Sequence, residues 1–120
     1  MGGLSDLSAG DNGLLVYAQS YLSAPNEVYV RHSDGTQTNV SRENKKVLET
    51  LAPSEYRWTN NVSLEDGRSM QMWIVTPPGF DASKKYPTVY MVHGGPQGAW
   101  ADAWSYRWNP RLWAAQGYVV

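Results

Sequence analysis

Short apolar runs separated by turn residues fill the first half of the chain. Leu14-Leu15-Val16-Tyr17-Ala18 is entered through the turn tripeptide Asp11-Asn12-Gly13, and Val28-Tyr29-Val30 follows Ala24-Pro25-Asn26. Ser33-Asp34-Gly35-Thr36 places Asp-Gly between two extended segments, a strong hairpin signal. Ser41 is positioned to cap a short helix over 43–51, which Pro53 ends. Strands at this spacing predict one blade of a β-propeller. A single blade needs neighbours to bury its faces.

From Tyr56 the pattern changes. Tyr56-Arg57-Trp58-Thr59 and the run 70–75 read as two strands joined through Glu65-Asp66-Gly67. Met70, Met72 and Ile74 share one face of the second strand, and Gln71, Trp73 and Val75 share the other. Thr76-Pro77-Pro78-Gly79 ends it, because neither proline can donate to a ladder. Thr88-Val89-Tyr90-Met91-Val92 is β-rich and apolar on both faces, as a strand covered on both sides should be. After a Gly-rich break and a Trp-rich loop, Asn109 and Pro110 form a helix start and Gly117 a helix stop. Tyr118-Val119-Val120 opens a further strand. Strand, loop, helix and strand in this order predict an α/β crossover. The expected division is therefore a blade-like segment over 1–52 and an α/β segment over 53–120.

Composition narrows the chemistry. Ten basic and eleven acidic residues leave a net charge of -1, which gives no reason to expect nucleic acid or an anionic membrane as partner. There is no cysteine, so disulfides, thiolate zinc sites and cysteine nucleophiles are excluded. No metal-ligand spacing and no phosphate-cradling glycine motif occurs, and no cofactor is implied. No window approaches the roughly 20 apolar residues that span a bilayer. Met1-Gly2-Gly3-Leu4-Ser5-Asp6 has neither the basic nor the apolar region of a signal peptide, and reads as a start inside a longer protein. Six Trp and eight Tyr against one Phe favour partly wet surfaces such as clefts, although all-β proteins share that bias.

His93-Gly94-Gly95-Pro96 stands where the apolar run 88–92 ends. Acyl transfer needs hydrogen-bond donors aimed at the oxygen that becomes negative in the tetrahedral intermediate. A backbone amide can serve if the chain approaches closely, and glycines permit that approach and positive φ. In α/β-hydrolases an HGG-type loop after this strand supplies one donor. A plain strand-to-loop turn has the same composition. Trp100, Trp104 and Trp108 fall at i, i+4 and i+8, the spacing of one helix face. They pack on a sheet, or Trp100 and Trp104 line a substrate cleft. Arg107 pairs with a substrate carboxylate or with a loop acid such as Asp102. His32 reads as a surface residue beside the Asp34-Gly35 turn.

The order of motifs shifts the balance towards the oxyanion reading. Pro77-Pro78-Gly79-Phe80, Lys84-Lys85-Tyr86-Pro87, the run 88–92, His93-Gly94-Gly95-Pro96-Gln97-Gly98, Tyr106-Arg107-Trp108-Asn109-Pro110 and Ala115-Gln116-Gly117-Tyr118-Val119-Val120 together resemble the start of the hydrolase domain in the prolyl oligopeptidase family of serine peptidases. Within it the chain looks most like the dipeptidyl-peptidase V and acylaminoacyl-peptidase branch. The resemblance implies an α/β-hydrolase start preceded by the last blade of a β-propeller, in a chain that crosses the junction of the two. It implies that Gly95 offers its amide to the oxyanion, that Gly94 gives the loop room, and that His93 fills the motif's first place. In the dipeptidyl-peptidase IV branch a tyrosine stands there and donates its hydroxyl.

No Gly-x-Ser-x-Gly occurs in the chain, and the base of this fold comes last in chain order. No catalytic triad residue is therefore expected in this segment, which alone should be inactive. The implied substrate is a short peptide, with release of N-terminal dipeptides as one form. The rest of the parent chain is the implied partner for a stable fold, and an exported location follows from the resemblance alone. An esterase or lipase also uses an HGG loop, and a non-catalytic β-rich binding module would need no nucleophile. Both stay open at this point.

Overall fold

The computed structural model describes residues 2–63, 65–95 and 97–120, so Pro96 of the loop motif lies outside the described residues. Contacts divide the chain into two units, Met1–Leu51 with Ala101–Arg107, and Ala52–Trp100 with Trp108–Val120.

The first unit is a four-stranded antiparallel sheet in chain order: β1 (Gly3–Ala9), β2 (Leu15–Tyr21), β3 (Ala24–Arg31) and β4 (Gln37–Asn39). Tyr17 lies opposite Tyr29, and their rings stack at 6.2 Å. Tyr17 and Leu22 are its buried apolar residues. The predicted Asp-Gly hairpin joins β3 to β4. There the Asp34 carboxylate accepts the Thr36 amide at 2.8 Å, and Gly35 takes φ +86°.

Three local expectations need correction. The chain turns between β2 and β3 at Leu22 and Ser23, while Pro25 sits inside β3. The register shifts by one residue between the pairs Gln19–Glu27 and Tyr21–Ala24, a bulge that tolerates a residue with no N–H. β1 was not foreseen, since Gly-Leu-Ser-Asp-Leu-Ser-Ala shows no clean alternation. It too carries a register shift, between Ser5 and Ser8. The helix predicted over 43–51 is the single turn α1 (Lys45–Leu48), and Ser41 does not cap it.

Glu27 organises that turn instead. It is 7% exposed, and its carboxylate accepts the amides of Glu43 at 3.1 Å and Asn44 at 2.7 Å, the Asn44 side-chain amide at 2.8 Å, and the Ser41 hydroxyl. Ser41 Oγ in turn accepts the Val28 amide. Burial works to raise the Glu27 pKa, but the hydrogen bonds from Ser41, Asn44 and Glu43 outweigh it and hold the group below its ordinary value.

The second unit begins with the predicted hairpin of β5 (Tyr56–Ser63) and β6 (Ser69–Val75). Asp66 accepts the Arg68 amide and Gly67 takes φ +79° in its turn. Val75 is 1% exposed and exchanges two 2.9 Å hydrogen bonds with Val120. Val119 then bridges in parallel to Thr88, with Val89 N–H donating to Val119 O and Val119 N–H to Pro87 O. The backbone order is thus β5, β6, 118–120, 87–89, so 87–89 and 118–120 are parallel neighbours joined through a helix. The predicted covered strand over 88–92 is not a regular strand. Only Thr88 bridges, and Tyr90 and Val92 are more than two-thirds exposed. Strand propensity needs a partner ladder to act on, and the described residues offer one only at Val119.

The connecting helix α2 (Pro110–Ala114) forms as its sequence predicts. Asn109 Oδ1 accepts the Arg111 amide at 3.0 Å, and Pro110 occupies the first turn. Gly117 at φ +92° closes the end, with Tyr118 N–H donating to Trp113 O. Asn109 and Ala114 are buried.

Glu27 yields a pH prediction. Because its folded pKa lies below the unfolded one, its contribution is complete above the ordinary glutamate value of about 4.3. That contribution is lost as pH falls through the folded pKa. Glu27→Gln should cost about 1–3 kcal/mol at neutral pH, and the cost should shrink on acidification. Thermal unfolding of both proteins between about pH 3 and about pH 7 checks this; a pH-independent difference would refute it.

Candidate functional site

The loop that opens at His93 follows the 87–89 edge segment. His93 Nδ1 lies 3.1 Å from Gly94 O, so the tautomer with Nδ1–H donates to that carbonyl. A side chain on Gly98 would sit 3.4 Å from the same nitrogen, so the imidazole closes the loop on itself.

The two glycines differ. Gly94 has open space around a built Cβ, with nothing within 4 Å. Gly95 takes φ +139°, and a Cβ there would stand 3.3 Å from Gln97 O and 3.5 Å from Gln97 N. Gly95 is exposed, and among the described residues no hydrogen bond occupies its N–H. A free amide on an exposed, side-chain-less residue can donate to a carbonyl oxygen brought against it.

Beside this loop lies a groove of about 540 Å³. It is lined by the run 89–92, His93, Gly94 and the three indoles of Trp100, Trp108 and Trp113. Trp108 and Trp113 stack in parallel at 6.3 Å. Trp100 is held through its backbone, where its carbonyl accepts Trp73 Nε1–H at 2.6 Å. Its own indole Nε1 is buried without a hydrogen-bond partner among the described residues.

The groove brings together His93, Gly94 and Trp100, and Gly95 is the next residue of the loop but not one of the lining residues. Trp104 does not line it. Trp104 belongs to the first unit, edge-on to Tyr106 at 5.8 Å. The helical spacing of the three tryptophans is a false signal, since 99–108 forms no helix. The segment Ala101–Arg107 is instead tied to the four-stranded sheet. Gly3 N–H donates to Asp102 O at 2.7 Å, Leu22 N–H to Asp102 Oδ1 at 2.9 Å, and Trp104 N–H to Ser20 Oγ at 3.4 Å. One oxygen of the Asp102 carboxylate thus accepts the Leu22 amide. His32 is exposed in the β3–β4 turn. Trp73 and Trp113 were not expected in this region from sequence; Trp73 shares its strand face with Gln71 and Val75.

The loop geometry separates two substitutions. Gly95→Ala forces a side chain into positive φ against Gln97 and should destabilise the loop by about 1–3 kcal/mol. Gly94→Ala meets open space and should cost well under that. Amide hydrogen exchange over 93–98 in the two variants checks the order; equal protection would refute it.

No family model matches the chain. It is 40% identical over 119 residues to dipeptidyl-peptidase 5 of Porphyromonas gingivalis, covering 97% of this chain and 17% of that protein. It is 41% identical over 109 residues to dipeptidyl-peptidase 5 of Porphyromonas endodontalis, covering 88% of this chain and 15% of that protein. With dipeptidyl-peptidase 5 of Aspergillus fumigatus it shares 38% identity over 115 residues, 92% of this chain and 15% of that one. The fold matches Pyrococcus horikoshii acylaminoacyl peptidase at a TM-score of 0.78 and 22% identity, over 98% of this chain and 18% of that one. The chain spans about one sixth of the length of the curated relatives it matches. In sequence and fold it belongs to the dipeptidyl-peptidase V and acylaminoacyl-peptidase branch of the prolyl oligopeptidase family.

Proposed function

We propose that this chain carries the oxyanion loop of a serine peptidase that hydrolyses short peptides and releases N-terminal dipeptides. The observation that carries the reading is Gly95, at φ +139° shortly after the 88–92 run, whose amide has no hydrogen-bond partner among the described residues. Similarity to dipeptidyl-peptidases 5 along most of the chain supports the substrate class.

In this reading Gly95 N–H donates to the scissile carbonyl oxygen as it becomes negative, and the amide after the nucleophile supplies the second donor. Gly94 leaves room for the substrate backbone, and Trp100 lines the cleft beside it. The chain contains no Gly-x-Ser-x-Gly and only two histidines, His32 and His93. Serine, acid and base are accordingly assigned to parts of the enzyme beyond these residues. His93 is not assigned as the base, because the base of this fold comes last in chain order, after the nucleophile and the acid. The segment 1–52 is assigned to the last propeller blade, a role that the four-stranded meander β1-β2-β3-β4 supports. The segment 53–120 is assigned to the start of the hydrolase domain.

The test is Gly95→Val in the full-length enzyme. Losing one oxyanion donor costs about 100- to 1000-fold in kcat, roughly 2.7–4 kcal/mol. KM should change much less, because the donor acts once charge develops. A folded Gly95→Val enzyme with near-normal kcat would place the oxyanion hole elsewhere.

A further inference from the structure

Two hydrogen bonds secure the ends of the segment that holds the candidate oxyanion loop. At its start Val89 N–H donates to Val119 O at 2.9 Å. At its end Trp73 Nε1–H donates to Trp100 O at 2.6 Å, short against the usual N–H···O distance of about 2.9–3.0 Å. Between these stems the chain contains Gly94, Gly95 and Gly98. So many glycines give the loop little conformational preference of its own. Where the Gly95 amide stands is therefore set largely by the stems.

The Trp73 stem is well founded. Trp73 lies on β6 opposite Trp58, in the strand that ends at the fully buried Val75. Its ring leans on Tyr56 at 6.0 Å and 53°, which fixes the direction of the indole N–H. Tryptophan is a donor only, so this bond has one polarity and one partner.

We propose that Trp73 is a positioning residue for the oxyanion loop. Its indole N–H holds the loop's C-terminal stem at the Trp100 carbonyl, and this sets the position from which Gly95 donates. Trp73 touches neither substrate nor reacting atoms, and the inference rests on the oxyanion reading of Gly95.

The test separates the N–H from the bulk of the ring. In the full-length enzyme Trp73 is replaced by benzothienylalanine, which keeps the bicyclic shape with sulfur in place of N–H, and in parallel by Phe. Turnover of a dipeptidyl aminomethylcoumarin is measured per active site titrated with a fluorophosphonate. Exchange of amides 93–98 is read on the same samples, with Gly95→Val as reference. The benzothienylalanine enzyme should lose about 10-fold in kcat, short of the roughly 100-fold of a missing donor. KM should stay within about twofold, and exchange over 93–98 should rise. Wild-type kcat in that enzyme, beside a steep loss in Gly95→Val, would overturn the positioning role and leave the oxyanion reading standing. Normal kcat in Gly95→Val would overturn the oxyanion reading itself. Should the benzothienylalanine enzyme not fold, Trp73→Phe carries the same comparison, and wild-type kcat with unchanged exchange there would overturn the proposal.

Discussion

The second unit depends on the pair of hydrogen bonds between Val75 and Val120. Val75 is almost wholly buried at the end of β6, where its backbone groups need hydrogen-bond partners within the protein. Val120 supplies both partners. That pairing places 118–120 beside β6 and, through Val119, places 87–89 beside 118–120. The helix cap at Asn109 and the stop at Gly117 then make the return of the chain short enough to reach this edge. The glycine loop begins at a fixed point because its first stem is part of this ladder.

The same logic separates the two glycines. Gly94 sits in open space, whereas Gly95 adopts a backbone conformation that an L side chain would strain while meeting Gln97. A positive φ held by an otherwise unexceptional loop is stored where the surrounding structure over-determines it. The bonds that flank Gly95 are the His93 ring on Gly94 O and, at the two stems, those of Val89 and Trp73. In the proposed role, such preorganisation matters because a donor to a developing charge acts best when it need not move as the charge appears.

What sequence reasoning recovered was local. The Asp34-Gly35 and Asp66-Gly67 turns, the Asn109-Pro110 start and the Gly117 stop all follow from the conformational demands of neighbouring residues, and all stand in the structure. The sequence 93–96 stands out as a glycine-rich break after an apolar run, and its oxyanion role is a proposal. What it missed depends on distant partners. β1 is polar and small and becomes a strand by pairing with β2. The 88–92 run has strand propensity but a ladder only at Thr88. The tryptophan periodicity predicted a helix, yet Asp102 and Trp104 are bonded to Gly3, Leu22 and Ser20, eighty or more positions away. The Trp73–Trp100 bond joins residues 27 apart, and no local pattern announces it.

The central claim is that the Gly95 amide faces the oxygen that becomes negative. A crystal structure of the full-length enzyme carrying a dipeptidyl phosphonate on its nucleophile tests this most directly, because the phosphonyl oxygen occupies the oxyanion position. The account predicts Gly95 N at about 2.7–3.1 Å from that oxygen. A separation beyond hydrogen-bond reach, with other donors around the oxygen, would contradict it.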